Sequence, residues 1–354
     1  MKKLIIILLL IPCLVKAYGT SAHSAVLMDI DSKRVIYSQN KDDVRSVASI
    51  SKIMTAIIAI ESKKTNDLVV IGDEIKDAYG SGIYIKESEE LTLEELIYGL
   101  MLRSGNDAAL AIAKYVGGDI KAFVKMMNDK AKELGMKNST FNNPSGLDQE
   151  KGNYSTAYDM ALLMSYAMQN DLFKKIVGTK KIEVKTNMNT YIWINKNKLL
   201  SMYKYATGGK TGYTDKAKRT LVTTASKNNV NLVAVTLVDG NDFNDHKKMF
   251  EEAFNKYHKY RILNKDNIKI IEEKYYYNSL FYLKNDFTLS LKKDELDKVI
   301  VKFKLIKKTD YKSGDEVGKV YVYLNGKEIY KDSIFVKVNE KKDGFFKRLF
   351  KKIF

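Results

Sequence analysis

Ser46-Val47-Ala48-Ser49-Ile50-Ser51-Lys52-Ile53-Met54-Thr55-Ala56-Ile57-Ile58-Ala59-Ile60 decides how the rest of the chain is read. From Ile53 to Ile60 nearly every residue is apolar, all the way around a helical turn, so this helix belongs inside a domain. Ser49 and Lys52, three apart at its start, share one face. Burying a lysine is costly and lowers its pKa. A lysine made neutral in this way takes the proton of a nearby serine and turns the hydroxyl into a nucleophile. The helix N-terminus adds unpaired N–H groups and partial positive charge beside the serine oxygen. The Ser-x-x-Lys spacing recurs at Ser38–Lys41, Ser201–Lys204 and Ser290–Lys293, but only Ser49 opens a long apolar helix.

Composition narrows the chemistry. At 354 residues there is room for two domains. A formal charge of +17 fits nucleic acid or an anionic membrane or wall. The single cysteine, Cys13, lies in an apolar leader, so the rest of the chain has no thiol nucleophile, disulfide or cysteine metal site. His23, His246 and His258 are all remote from the stretches singled out here, which argues against a Ser-His-Asp triad or a histidine-rich metal site. Neither a metal nor a cofactor is expected.

Upstream of Ser49, Lys2 and Lys3 precede the apolar run Leu4 to Val15, and Ala17 or Ala22 precedes the cut. Residues 1–22 thus read as a secretory signal peptide, too short for a comfortable span. The body of the protein is then extracytoplasmic, which removes nucleic acid as a partner. Ser24 to Gln39 reads as a hairpin that delivers the chain to the Ser49 helix.

Downstream, Thr92 and Glu95 form a capping box before Leu93, Leu96, Ile97, Leu100 and Met101 at helical spacing. That helix turns at Ser104-Gly105-Asn106 into another, Ala108 to Val116, so a hydroxyl and an amide sit at a corner held by rigid elements. Further helices are expected over Asp119–Leu134, Tyr158–Met168 and Asp245–Tyr257. Thr207-Gly208-Gly209-Lys210-Thr211-Gly212-Tyr213-Thr214 places a cation and a hydroxyl where glycines let backbone approach a ligand. It lacks the upstream glycine spacing of a Walker loop. It precedes two central antiparallel strands, Leu221–Ala225 and Leu232–Val238.

A linker near His258–Asn264 leads to β-like runs at Val299–Leu305, Val317–Leu324 and Ile334–Val338. In the last stretch, Phe345, Phe346, Leu349, Phe350, Ile353 and Phe354 make one helical face, and Lys347, Arg348, Lys351 and Lys352 the other. This is the pattern of a helix lying in an anionic membrane interface.

Ser49-x-x-Lys52, Ser104-Gly105-Asn106 and Lys210-Thr211-Gly212, in that order, resemble the penicillin-binding proteins and serine β-lactamases. Ser51–Ala56, Leu102–Ala109, Lys210–Thr214, Asn143-Pro144-Ser145-Gly146-Leu147 and Tyr154–Asp159 are similar to the low-molecular-mass D-alanyl-D-alanine carboxypeptidases, peptidase family S11. Two departures stand out: Val47 where proline is common, and Asp215-Lys216-Ala217-Lys218-Arg219 where small residues are usual, at the rim of the cleft.

The resemblance implies an α/β (α+β) fold: a penicillin-binding-protein/β-lactamase-like domain over 23–258 with a central antiparallel sheet flanked by helices. A small all-β domain over 264–340 and an amphipathic anchor over 344–354 follow. It implies Ser49, Lys52, Ser104 and Asn106 as catalytic residues. Lys210, Thr211, Gly212 and Tyr213 bind the substrate, a peptidoglycan stem peptide ending in D-Ala-D-Ala. Lys52 is the leading base, kept neutral with the help of Lys210, and the backbone N–H groups of Ser49 and Tyr213 form the oxyanion hole. β-Lactam antibiotics inhibit, and the enzyme is held at the outer face of the cell membrane. The alternatives are a DD-endopeptidase or transpeptidase on the same plan, a β-lactamase, or a wall-binding protein with a dead site.

Overall fold

The computed structural model describes residues 19–148, 151–268, 270, 276, 279–307 and 309–338. The expected signal peptide, save residues 19–22, and the expected amphipathic tail lie outside the described residues. Ser21 is part of the fold: its hydroxyl donates to Asp239 at 2.7 Å and its N–H to Asp245 at 2.6 Å. Among the described residues no helix is long and apolar enough to cross a membrane.

A 5-stranded sheet is built from β1 (Ser24–Asp29), β2 (Val35–Gln39), β3 (Ala206–Thr214), β4 (Lys218–Lys227) and β5 (Val230–Leu237). Its order is β2-β1-β5-β4-β3, antiparallel throughout. Alternate residues serve opposite layers. Val26, Met28, Val233 and Val235 enter one core with Ile53 and Ile57. Leu27, Leu232 and Ala234 face Phe250 and Phe254 in another. Strands covered on both faces read as unbroken apolar runs, and this is why β1 and β5 show no polar alternation.

Among the described residues the α-helices longer than four residues are α1 (Lys52–Glu61), α2 (Leu93–Tyr98), α3 (Asn106–Gly117), α4 (Ile120–Glu133), α5 (Ala157–Ala167), α6 (Asp171–Gly178) and α7 (Asp242–Lys256). The all-round apolar helix is where its composition puts it: every residue of α1 from Lys52 to Ile60 is buried. The capping box at Thr92–Glu95 forms as expected, while Asp119, Thr156 and Asn170 cap α4, α5 and α6. His246 on α7 is enclosed between the hydroxyls of Thr223 and Thr236, at 2.6 and 3.1 Å. Burial pushes its pKa down to about 3, so it joins helix to sheet as a neutral ring.

The second domain is all-β with its own core. It contains β6 (His258–Leu263), β7 (Ser279–Tyr282), β8 (Phe287–Leu291), β9 (Val299–Leu305), β10 (Glu316–Leu324) and β11 (Lys327–Val338). Four of these form a sheet in the order β7-β11-β10-β9, and β6 pairs with β8. The expected linker at His258–Asn264 is therefore largely strand; its partner lies well downstream in sequence, so local composition gave no sign of the pairing.

The join between the domains is polar. Arg34 grips Glu295 through two hydrogen bonds of 3.1 and 2.5 Å and donates to the Ser290 carbonyl at 2.8 Å. Lys259 lies 3.5 Å from buried Asp29 and also pairs with Asp31.

Candidate active site

Ser49 occupies a 3-10 turn, Ala48–Ser51, that runs into α1. The preceding Ala48 has φ +49°, a left-handed conformation that costs on the order of 1–3 kcal/mol in a residue with a Cβ. Ser104, which ends a π-helical turn at Gly99–Arg103, is left-handed too, at φ +65°. Backbone strain thus gathers at one expected catalytic position, Ser104, and next to another, Ser49.

Lys52 is fully buried and its ammonium nitrogen has three neighbours. Nζ lies 3.0 Å from Ser49 Oγ, 2.7 Å from Asn106 Oδ1 and 2.5 Å from the Ser145 carbonyl oxygen. Burial first, then the charge of Lys196, pushes its pKa down to about 7, against a smaller opposing pull from Asp107. A neutral amine has two N–H donors and one lone pair. Asn106 Oδ1 and the Ser145 carbonyl only accept, so they take the two N–H groups. The lone pair is left facing Ser49 Oγ, whose hydroxyl is the one neighbour able to donate.

Asn106 also fastens this arrangement to the facing loop. Its Nδ2 donates to the Tyr79 carbonyl at 2.5 Å and its N–H to the Ser81 carbonyl at 2.8 Å. The former contact fixes which end of the amide faces Lys52. Next to it, buried Asp107 accepts from the N–H groups of Ile83 at 3.0 Å and Tyr84 at 2.6 Å. The hydroxyl of Ser104 lines the same cleft; among the described residues it has no hydrogen-bond partner.

The opposite wall is β3. An added Cβ at Gly212 would lie 2.4 Å from Thr220 Oγ1 and 3.0 Å from the Ser49 nitrogen, so only glycine lets the strand lie this close to the serine turn. Gly146 has the same function from below. It has φ +81°, and a Cβ there would lie 2.0 Å from the Ala48 carbonyl oxygen. Gly146→Ala is expected to destabilise the protein by roughly 3 kcal/mol or more. A denaturation midpoint matching that of the parent would refute this.

Lys210 is also enclosed, with its Nζ donating to the Thr211 carbonyl at 2.7 Å. Burial, then Lys52, then Lys196 hold its pKa well below the usual lysine range. The sequence reading gave Lys210 the part of keeping Lys52 neutral. Lys210 and Lys52 do act on each other through charge, and a further charge bears on Lys52, that of Lys196, a residue that reading passed over. Lys196 is half-buried in the cleft and donates to Ser81 Oγ at 3.1 Å.

The cleft of about 400 Å³ is lined by Ser49, Ser81, Ser104, Lys196, Thr211 and Tyr213, among others. Arg219, from the divergent Asp215–Arg219 segment, reaches this wall and is held by Asp242 through hydrogen bonds of 2.6 and 3.1 Å. Beside the serine turn, Asp148 accepts from Ser46 Oγ at 2.6 Å and from Thr214 Oγ1, tying the rim together.

A buried lysine facing a serine, with an Asn corner and a Lys-Thr-Gly strand as walls, defines a serine–lysine hydrolase site on a mixed α/β domain. Residues 14–241 match the D-alanyl-D-alanine carboxypeptidase family, peptidase S11, and residues 257–342 match the penicillin-binding protein 5 C-terminal domain. The chain belongs to the S11 family of serine hydrolases.

The D-alanyl-D-alanine carboxypeptidase DacF of Bacillus subtilis is 32% identical over 339 residues, spanning 92% of this chain and 87% of that protein. The D-alanyl-D-alanine endopeptidase of Escherichia coli is 32% identical over 219 residues, spanning 60% of this chain and 70% of that protein. Penicillin binding protein 5 from Haemophilus influenzae superposes with a TM-score of 0.76 at 26% identity, covering 91% of this chain and 98% of that one.

Proposed function

We propose that this protein is a D-Ala-D-Ala carboxypeptidase that removes the terminal D-alanine from peptidoglycan stem peptides through an acyl-enzyme on Ser49. The observation that carries the reading is the buried Lys52 Nζ lying 3.0 Å from Ser49 Oγ, with burial pushing its pKa down to about 7. Ser49 Oγ passes its proton to Lys52 as it bonds to the penultimate carbonyl carbon, and the carbonyl electrons move to oxygen. The N–H groups of Ser49 and Tyr213 stabilise that oxyanion. Collapse expels D-alanine, whose amine takes up a proton relayed by Lys52 and Ser104. Water, deprotonated by Lys52, then frees Ser49. Lys210, Thr211 and Lys196 hold the terminal carboxylate, a group present only at a chain end. A β-lactam acylates the same serine.

What supports a carboxypeptidase is that relatives matching over 92%, 95% and 93% of the chain, second domain included, are named so. Among the described residues lining the cleft there is no glutamate to drive rapid release of a β-lactam. The enzyme works outside the cytoplasmic membrane, held there by residues 344–354.

The test is to label the purified protein with a fluorescent penicillin, map the label, and assay D-alanine release from diacetyl-Lys-D-Ala-D-Ala. A persistent label on Ser49 with D-alanine release is expected. Rapid turnover of the label without peptide cleavage would mean a β-lactamase, and no label at all a dead site.

A further inference from the structure

The four-stranded sheet of the second domain turns one face to its core and the other to solvent. Pairing sets the outward side chains in rows: Lys304 beside Lys319, Lys302 beside Tyr321 and Lys331, and Ile300 beside Tyr323. Towards the other edge come Tyr282 beside Phe335 and Leu280 beside Lys337. The ammonium groups stand over the rings, Lys302 over Tyr323 and Lys331 over Tyr321, each at 5.3 Å. The acids on this face are Glu316 and Glu328, at its corners, and Glu316 is already paired with Lys319 at 2.7 Å.

Lysine–aromatic rows stabilise a sheet by themselves. They do not account for the aliphatic residues at the two edges. Leu280 is 57% exposed, Ile300 49%, and Ile306, just past β9, 55%. A planar face with aliphatic edges, aromatic rings and a surplus of lysine matches a lipid interface, where aromatic rings settle at headgroup depth and each lysine is drawn to anionic lipid. A glycan or teichoic acid would use the rings and cations but gain nothing from exposed leucine and isoleucine. The chain outside the structure points the same way: β11 crosses this sheet, ends at Val338, and is followed within a few residues by the amphipathic stretch Gly344–Phe354.

We propose that the outward face of the β7-β11-β10-β9 sheet lies against the anionic membrane surface as a second contact beside the tail. This rests on the membrane-held location proposed above. Without its leader the chain has no cysteine, so Ile300→Cys in the full-length secreted chain carries a single environment-sensitive dye. With vesicles of phosphatidylglycerol and phosphatidylcholine, the dye is expected to shift to the blue and be quenched by lipid-borne quenchers. Lys302→Gln, Lys304→Gln and Lys331→Gln together are expected to weaken binding about a hundredfold at low salt, from roughly fivefold per lysine. D-alanine release from a soluble peptide should not change.

Bound protein with an unshifted dye would mean that the tail alone holds the chain, and would overturn the proposal. A shift with poly(glycerol phosphate) but not with vesicles would make a wall polymer the partner and overturn it as well. No binding to any vesicle would refute the membrane-held location and this inference together.

Discussion

Replacing Ser49 by alanine is expected to reduce D-alanine release by about a millionfold, the loss seen when the nucleophile of a serine enzyme is removed, and to abolish covalent penicillin labelling. Stability should hardly change. Among the described residues the hydroxyl makes only the 3.0 Å contact with Lys52 and a 3.5 Å contact with the Ser145 carbonyl. Lys52 keeps Asn106 and Ser145 when the hydroxyl is gone. Activity lost with the melting temperature preserved therefore isolates chemistry from folding. Continued D-alanine release in the variant would refute Ser49 as the nucleophile.

The second large effect is that of pH on kcat. Lys52 acts as a base only when neutral, and its pKa is pushed down to about 7 by burial and by Lys196. Below that value the protonated form dominates and the lone pair is lost. About one lysine in ten is neutral at pH 6 and about nine in ten at pH 8, so kcat should rise about tenfold per unit in acid and level off above neutrality. Lys196→Gln removes the neighbouring charge and should move the midpoint upward. An unperturbed lysine would titrate near 10.4, so a rise confined to strongly alkaline solution, or a flat profile from pH 6 to 9, would rule out Lys52 as the base.

The site was legible where chemistry depends on short spacing. Ser49 and Lys52 lie one helical turn apart, and a run of apolar residues declares their helix to be internal. Asn106 stood out through its place at a corner between two helices, the first of them opened by a capping box. What the sequence did not reveal is what only the folded chain brings together. Lys196 sits in Asn195-Lys196-Asn197-Lys198, and in a chain with 60 lysines and arginines one more lysine carries no signal. The Ser145 carbonyl is backbone, and its contact with Lys52 spans 93 residues. The pairing of Arg219 with Asp242 likewise joins a strand to the helix beyond the next strand. The central sheet could be read because both faces of β1 and β5 are buried, which leaves long apolar runs. Strand β6 could not, because its intermediate burial leaves no clear pattern.

Lys210 has a consequence for recognition. It is sealed from water beside two other lysines, and its hold on a proton is weakened. A carboxylate arriving next to it reverses that balance and strengthens its hold on the proton. Capture of the chain end should weaken in alkali, where attack on the peptide bond has already reached its plateau. On the proposed mechanism, the working pH is a compromise between Lys210, which has to be charged to hold the peptide, and Lys52, which has to be neutral to cut it.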